Sequence, residues 1–196
     1  MNVYSIFPTD IYIEENSNID NKKLSEIILE KEKIEPARFL SNIKGWQSSE
    51  DLNRDARFSE LMLYVSQSFK LIFEHNNYKD GLKLIITDMW ANVNREKDFN
   101  KMHLHGNSDW SFVYYVRVPE NSGVLRFADP RIRRGMSPNE DFLKNLDNPS
   151  QHGEYLITSG EGKLVIFPAW LEHWVEPNFS SDPRISISGN MSLEMN

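Results

Sequence analysis

Along the chain, apolar positions first recur every three or four residues and then, from Leu82 onward, fall into short β-branched and aromatic runs. Leu24, Ile27 and Ile28, with Lys31 next in the series, share one face at helical spacing, which predicts a helix entered from Ile19-Asp20 with Asp20 as its N-cap. Phe58, Leu61, Met62, Val65, Phe69 and Ile72 repeat that spacing, so a second helix is expected from near Asp55 to Glu74, packed on a sheet. Between the two, Ser41 to Asn53 contains Gly45-Trp46 and reads as turn-rich. Ahead of them, Val3 to Ile13 alternates loosely and is interrupted at Pro8, the pattern of an edge strand.

The later runs, cut by Gly, Pro, Asn and Asp, predict strands at Leu82–Val93, Asp109–Val118, Val124–Phe127, Glu154–Ser159, Lys163–Phe167 and Ile185–Met191. Short strands with turns between them indicate a sandwich or barrel, not a doubly wound parallel sheet. No repeat of 20–50 residues is present, so a solenoid is not expected. With helices first and strands after, the fold class expected is α+β: a jelly-roll core (81–196) buttressed by an N-terminal helical part (1–80), together one domain over 1–196.

Composition narrows the chemistry. The 196 residues, 39% apolar, suffice for one core without staples. Cysteine is absent, which excludes disulfides, zinc ribbons, iron–sulfur clusters and CxxC redox chemistry. With 29 acidic against 22 basic side chains the net charge is −7, which argues against nonspecific nucleic-acid binding. The one basic cluster, Arg131, Arg133 and Arg134, is too short to reverse that balance and reads as a solvated loop. The apolar runs fall short of the roughly 18 residues of a membrane span, and no signal-peptide pattern opens the chain, so a cytoplasmic protein is expected. The edge strand near Val3–Ile13 makes a homodimer an expectation as well.

Two of the five histidines, His103 and His105, stand two residues apart, and in extended backbone such side chains share a face about 6–7 Å apart, a chelating arrangement. His173 follows the apolar run Gly162 to Phe167 and the turn at Pro168, where a distant ligand of a jelly-roll metal centre would stand. The alternative is a strand cap between Trp170 and Trp174 with no metal. Further on, alternation puts Arg184, Ser186 and Ser188 on one face and Ile185 and Ile187 on the other. An arginine aimed into a barrel requires an anion, and its planar fork suits a carboxylate, with Ser186 as an added donor. The competing arrangement is a pair with an internal Asp or Glu.

In this order the residues resemble the Fe(II)- and 2-oxoglutarate-dependent oxygenases, and more narrowly the bacterial and phage 2OG-Fe(II) oxygenases. The resemblance is carried by Phe7-Pro8-Thr9, Gly45-Trp46-Gln47-Ser48, Trp90-Ala91-Asn92, His103-Leu104-His105 and Val113-Tyr114-Tyr115-Val116. It continues through Phe127-Ala128-Asp129-Pro130-Arg131, Phe167-Pro168-Ala169-Trp170-Leu171-Glu172-His173 and Arg184 to Asn190. It spans nearly the whole chain and implies a double-stranded β-helix holding Fe(II) on a facial triad, with the keto acid and dioxygen at the open positions. It further implies that Arg184 and Ser186 hold the far carboxylate of 2-oxoglutarate. Tyr114 or Tyr115 would hydrogen-bond the keto acid, with Tyr115 taken into the set. The reaction implied is hydroxylation of a small-molecule or peptide substrate, with release of succinate and CO2.

The chain departs from the superfamily at the second ligand, where His105 stands in place of the usual Asp or Glu. The expected ligands are therefore His103, His105 and His173, three neutral donors, with Asp109 orienting a histidine ring or, if 106–108 turns, ligating in place of one. Were His105 the first ligand, Asn107 would occupy the second position. A cupin metalloenzyme that does not use 2-oxoglutarate is the alternative on the same architecture: His103-x-His105-x3-Asp109 and Gly162-x5-Pro168-x-Trp170-x2-His173 fit its motifs except for Trp170, but nothing in it accounts for Arg184. A non-catalytic jelly-roll binding protein is the third reading. Trp110, Trp170 and Trp174 are candidates for a substrate channel, Asp129 and Arg131 for a pair across a turn, and His75 and His152 for the surface.

Overall fold

The computed structural model describes residues 1–196 apart from 3, 5, 16, 17, 132–152 and 196. Arg133, Arg134 and His152 lie outside the described residues. Helix α1 (Asn21–Ile34) begins where the Asp20 carboxylate accepts the Lys23 N–H at 3.0 Å, and it buries Leu24, Ile27 and Ile28. Helix α2 (Ser59–His75) buries Leu61, Val65, Phe69 and Ile72. It starts later than Asp55 because Asp55 instead caps a 3-10 turn, Ala56–Phe58, through the Arg57 N–H.

Among the described residues eleven strands follow one another as β1 (Tyr12–Glu15), β2 (Asn42–Ile43), β3 (Trp46–Gln47), β4 (Leu82–Asn94), β5 (Phe99–His103) and β6 (Trp110–Arg117), then β7 (Leu125–Ala128), β8 (Glu154–Ile157), β9 (Lys163–Pro168), β10 (His173–Val175) and β11 (Arg184–Met195). They form a six-stranded sheet in the order β1-β9-β6-β11-β4-β3 and a five-stranded sheet in the order β2-β5-β10-β7-β8, every pair antiparallel. This is the jelly-roll expected.

Three strand placements differ from the sequence reading. The edge strand is Tyr12–Glu15, which meets the expected Val3–Ile13 only at its end, since Phe7 sits at φ 58 before Pro8 and takes the backbone out of extension; Val3 and Ser5 lie outside the described residues. The turn-rich piece contributes β2 and β3, so the part before residue 80 supplies three strands as well as the helices. Short, polar β5 and β10 carried no alternation by which to be recognised, yet they are the strands that end or begin in histidine.

Alternation along the central strands divides the interior in two. Met89, Ala91 and Val93 of β4, Phe112 and Tyr114 of β6, and Ile185 and Ile187 of β11 pack with α1 and α2. Fully burying one such side chain contributes about 1.5–3 kcal/mol, which is why short helices hold to this face. The intervening residues, Trp90, Asn92 and Asn94 of β4, Ser111, Val113 and Tyr115 of β6, and Arg184, Ser186 and Ser188 of β11, line a cavity on the other face. No helix among the described residues is long and apolar enough to cross a membrane.

Candidate metal centre and anion pocket

His103 closes β5 and His173 opens β10, and the two are direct register partners. His105 follows β5 after one residue, where its backbone N–H is held by Ala169 O at 2.8 Å. One ligand atom from each of the three rings lies within 4.8 Å of the others, and the ring centroids are 4.3 Å apart for His103–His173 and 5.2 Å for the other two pairs. The face of His105 away from His173 is covered by the Trp90 indole, stacked at 5.7 Å and 16°.

Hydrogen bonds decide which nitrogen each ring offers. His103 Nδ1 faces Lys101 O at 2.7 Å, His173 Nδ1 faces Leu171 O at 2.8 Å, and His105 Nδ1 faces Asn190 Oδ1 at 2.6 Å. Each partner only accepts, so each Nδ1 carries the proton and each Nε2 keeps its lone pair for a cation. Burial lowers the pKa of His103, lowers that of His105 to about 4 together with the neighbouring His103, and takes His173 well below the ordinary value. Three neutral nitrogen donors suit a divalent first-row transition metal.

Arg184 lines the same cavity and is 1% exposed. Its Nη1 donates to Ser122 O and Glu176 O, whereas Nη2 is buried without a hydrogen bond among the described residues. No carboxylate among the described residues forms an ion pair with it, so the internal Asp or Glu of the competing reading is not found. Gly123 makes this possible: it sits at φ +82, and an added Cβ would lie 2.6 Å from Glu176 O. Burial lowers the pKa of Arg184, opposed by Tyr115, Asp98 and Glu176, but a guanidinium stays a cation. Tyr115, near Arg184 and Ser159, makes no hydrogen bond of good geometry through its hydroxyl among the described residues, and burial raises its pKa, so it remains a neutral donor. Ser186 completes this end, and Phe167, Leu125 and Val113 supply apolar wall. The space inside the cavity that a water-sized sphere can occupy is about 50 Å³.

Other expectations separate from this cluster. Asp109 neither joins the imidazoles nor orients one: it is exposed, and its Oδ2 accepts the Leu193 N–H at 2.8 Å because β11 runs beside it. His105 Nδ1 faces Asn190 Oδ1 instead, a residue legible in the sequence only as the even-numbered continuation of Arg184, Ser186 and Ser188. Tyr114 points into the helix-covered core and donates to Asn21 Oδ1. Of the proposed channel, Trp110 packs on Phe69, Trp170 is on the surface and Trp174 is half-buried; Trp90 is the tryptophan that lines the cavity. Asp129 and Arg131 do pair, at 2.6 Å, and His75 is exposed.

Residues 88–190, more than half of the chain, match the model of the family described as "Putative 2OG-Fe(II) oxygenase", and the chain belongs to that family. Its cofactor and co-substrate are Fe(II) and 2-oxoglutarate. Among solved structures, a prolyl-4-hydroxylase from Pseudomonas putida aligns at 14% identity and TM-score 0.64 over 94% of this chain and 92% of that one. The collagen prolyl hydroxylase vCPH of Paramecium Bursaria Chlorella virus-1 aligns at 12% and 0.59, covering 92% of this chain and 94% of its own. HygX from Streptomyces hygroscopicus, solved with nickel and 2-oxoglutarate bound, aligns at 9% and 0.59, covering 94% and 83%. At such identities the likeness is one of fold. No curated protein matches the chain.

Proposed function

We propose that the chain hydroxylates a small-molecule or peptide substrate, with His103, His105 and His173 as the metal ligands and Arg184, Tyr115 and Ser186 holding the far carboxylate of 2-oxoglutarate. The observation that carries this reading is the unpartnered, buried Arg184 Nη2 in the same cavity as three imidazoles whose Nδ1 atoms are all occupied. Leaving a guanidinium arm in that state costs free energy that an anion recovers. When bound, Fe(II) and 2-oxoglutarate supply dioxygen activation and the oxidising equivalents for a C–H bond, with succinate and CO2 as products.

The protein's part is placement. Arg184 is fixed on one arm by two carbonyls and presents the other to a carboxylate, while the neutral Tyr115 phenol adds a donor. Trp90 and Phe167 keep water from the imidazoles, which strengthens every polar contact made there. A cupin-type site leaves Arg184 with no task. On the same footing, 1–196 is proposed as one domain, since β1, β2 and β3 join sheets made by the later strands. Pairing of two copies through β1, an edge strand among the described residues, is proposed too, and a dimer mass by sedimentation in solution tests it.

Mixing the protein anaerobically with Fe(II) and 2-oxoglutarate tests the assignment. A weak visible charge-transfer band is expected, and its absence with metal demonstrably bound would overturn it. His103→Ala and His173→Ala are each expected to abolish succinate formation.

A further inference from the structure

We infer that Asn190 is the positioning residue of the second imidazole, fixing the tautomer and the direction of His105 so that a neutral ring serves where a carboxylate would otherwise stand. The inference rests on the ligand set proposed above. His103 and His173 each lean on a backbone carbonyl two residues earlier, Lys101 O and Leu171 O, so the local chain alone sets their Nδ1 protons. His105 has no such support. Its Nδ1 partner is a side chain eighty-five positions away, Asn190 Oδ1, at 2.6 Å.

The amide is held in turn. Asn190 and Ser111 are register partners on β11 and β6, and Ser111 Oγ donates to the same Oδ1 at 3.3 Å. Were the amide nitrogen turned toward His105, Nδ1 would have to accept, the proton would move to Nε2, and the third corner would be closed to a cation. The oxygen-inward orientation opens that corner. Since Asn is uncharged, it does so without adding a negative charge to the site. Asn190 lies on the strand that also carries Arg184, Ser186 and Ser188 into the cavity, so β11 links the metal end to the anion end.

Titrating Ni(II) into the metal-free chain by calorimetry provides the test, with metal-free melting temperature measured beside it. Asn190→Leu keeps the side chain's size without an acceptor and is expected to weaken Ni(II) binding roughly 10- to 100-fold. Asn190→Asp keeps the acceptor and makes it anionic, so Ni(II) affinity is expected to equal or exceed that of the wild type. Wild-type affinity in a folded Asn190→Leu variant would overturn the inference, as would a loss of affinity in Asn190→Asp that matches Asn190→Leu. If Asn190→Leu does not fold, Asn190→Asp decides alone: retained or tighter Ni(II) binding supports the inference and weakened binding overturns it. No Ni(II) binding by the folded wild type would overturn the ligand set itself, and the inference with it.

Discussion

His103 and His173 are opposed across the β5–β10 ladder, their ring centroids 4.3 Å apart. Strand pairing brings them together without help from a loop, so two corners of the candidate metal centre are as rigid as the sheet. Such crowding also has an electrostatic consequence. Each ring sits in surroundings that disfavour its protonated form, and the rings disfavour it in one another.

That consequence is measurable in the metal-free protein. His105 titrates at about 4 when folded, against roughly 6.5 in an unfolded chain. Above 6.5 neither state binds the proton and this contribution to stability is complete. As the pH falls from 6.5 toward 4, the unfolded chain takes up a proton that the folded chain resists, and stability declines by at most about 1.4 kcal/mol per pH unit for this ring. The urea midpoint in the presence of chelator should be lower at pH 5 than at pH 7, and the drop should shrink in His105→Gln. An unchanged drop in that variant would contradict the assignment of the loss to His105.

Arg184 gives a second prediction. A lysine there can still reach one of the carbonyls that hold Nη1, but it has no second arm for a carboxylate. Arg184→Lys should fold, bind metal as the wild type does, and bind 2-oxoglutarate roughly 10- to 100-fold more weakly, the loss expected for a charge-assisted hydrogen bond. The readout is the rise in melting temperature with added 2-oxoglutarate at saturating Ni(II), which should nearly vanish. An undiminished rise would remove Arg184 from the keto-acid site.

These contacts also show which features the sequence made legible. Period carried α1, α2 and the long strands, because a buried stripe on a helix or strand leaves a repeat that one chain displays: Leu61, Val65, Phe69 and Ile72 were readable as one face. The alternation of Arg184, Ser186 and Ser188 against Ile185 and Ile187 likewise gave the correct side of β11. The two-residue strands β2 and β3 were not readable, since a bridge that short is fixed by its partner and not by its own pattern. Asp109 is near His105 in sequence alone, whereas the ring's partner arrives from β11 through sheet pairing. Contacts of that range leave no local signal.

Gly123 supplies a third prediction. A Cβ here would meet Glu176 O at 2.6 Å and Pro177 O at 2.8 Å, both backbone atoms, and the φ of +82 is one that side chains rarely adopt. Gly123→Ala should destabilise the fold by about 1–3 kcal/mol. It should also weaken 2-oxoglutarate binding, because Ser122 O and Glu176 O, which flank the substitution, are the acceptors that hold Arg184 Nη1. Urea unfolding and the 2-oxoglutarate thermal shift report the two effects separately. Full stability together with wild-type 2-oxoglutarate binding would show that the close approach at Gly123 is immaterial.

Trp90 offers a direct optical view of the site. Its indole lies nearly parallel to the His105 ring at 5.7 Å, whereas Trp110 is packed in the helix-covered core and Trp170 is on the surface. A paramagnetic divalent ion held by His105 would sit close to the Trp90 indole and quench its emission. Titration of Co(II) into the chelator-treated protein should therefore lower tryptophan fluorescence in a saturable, single-site manner. Trp90→Phe retains an aromatic face against His105 and should bind Co(II) within roughly threefold of the wild type, as expected for a volume-reducing swap that keeps the apolar contact. Most of the quenching should nevertheless be lost in that variant. If the quenching persists with Trp90 replaced, the emission being quenched comes from another tryptophan, such as Trp174 next to His173, and the Trp90–His105 stack is not what reports the ion.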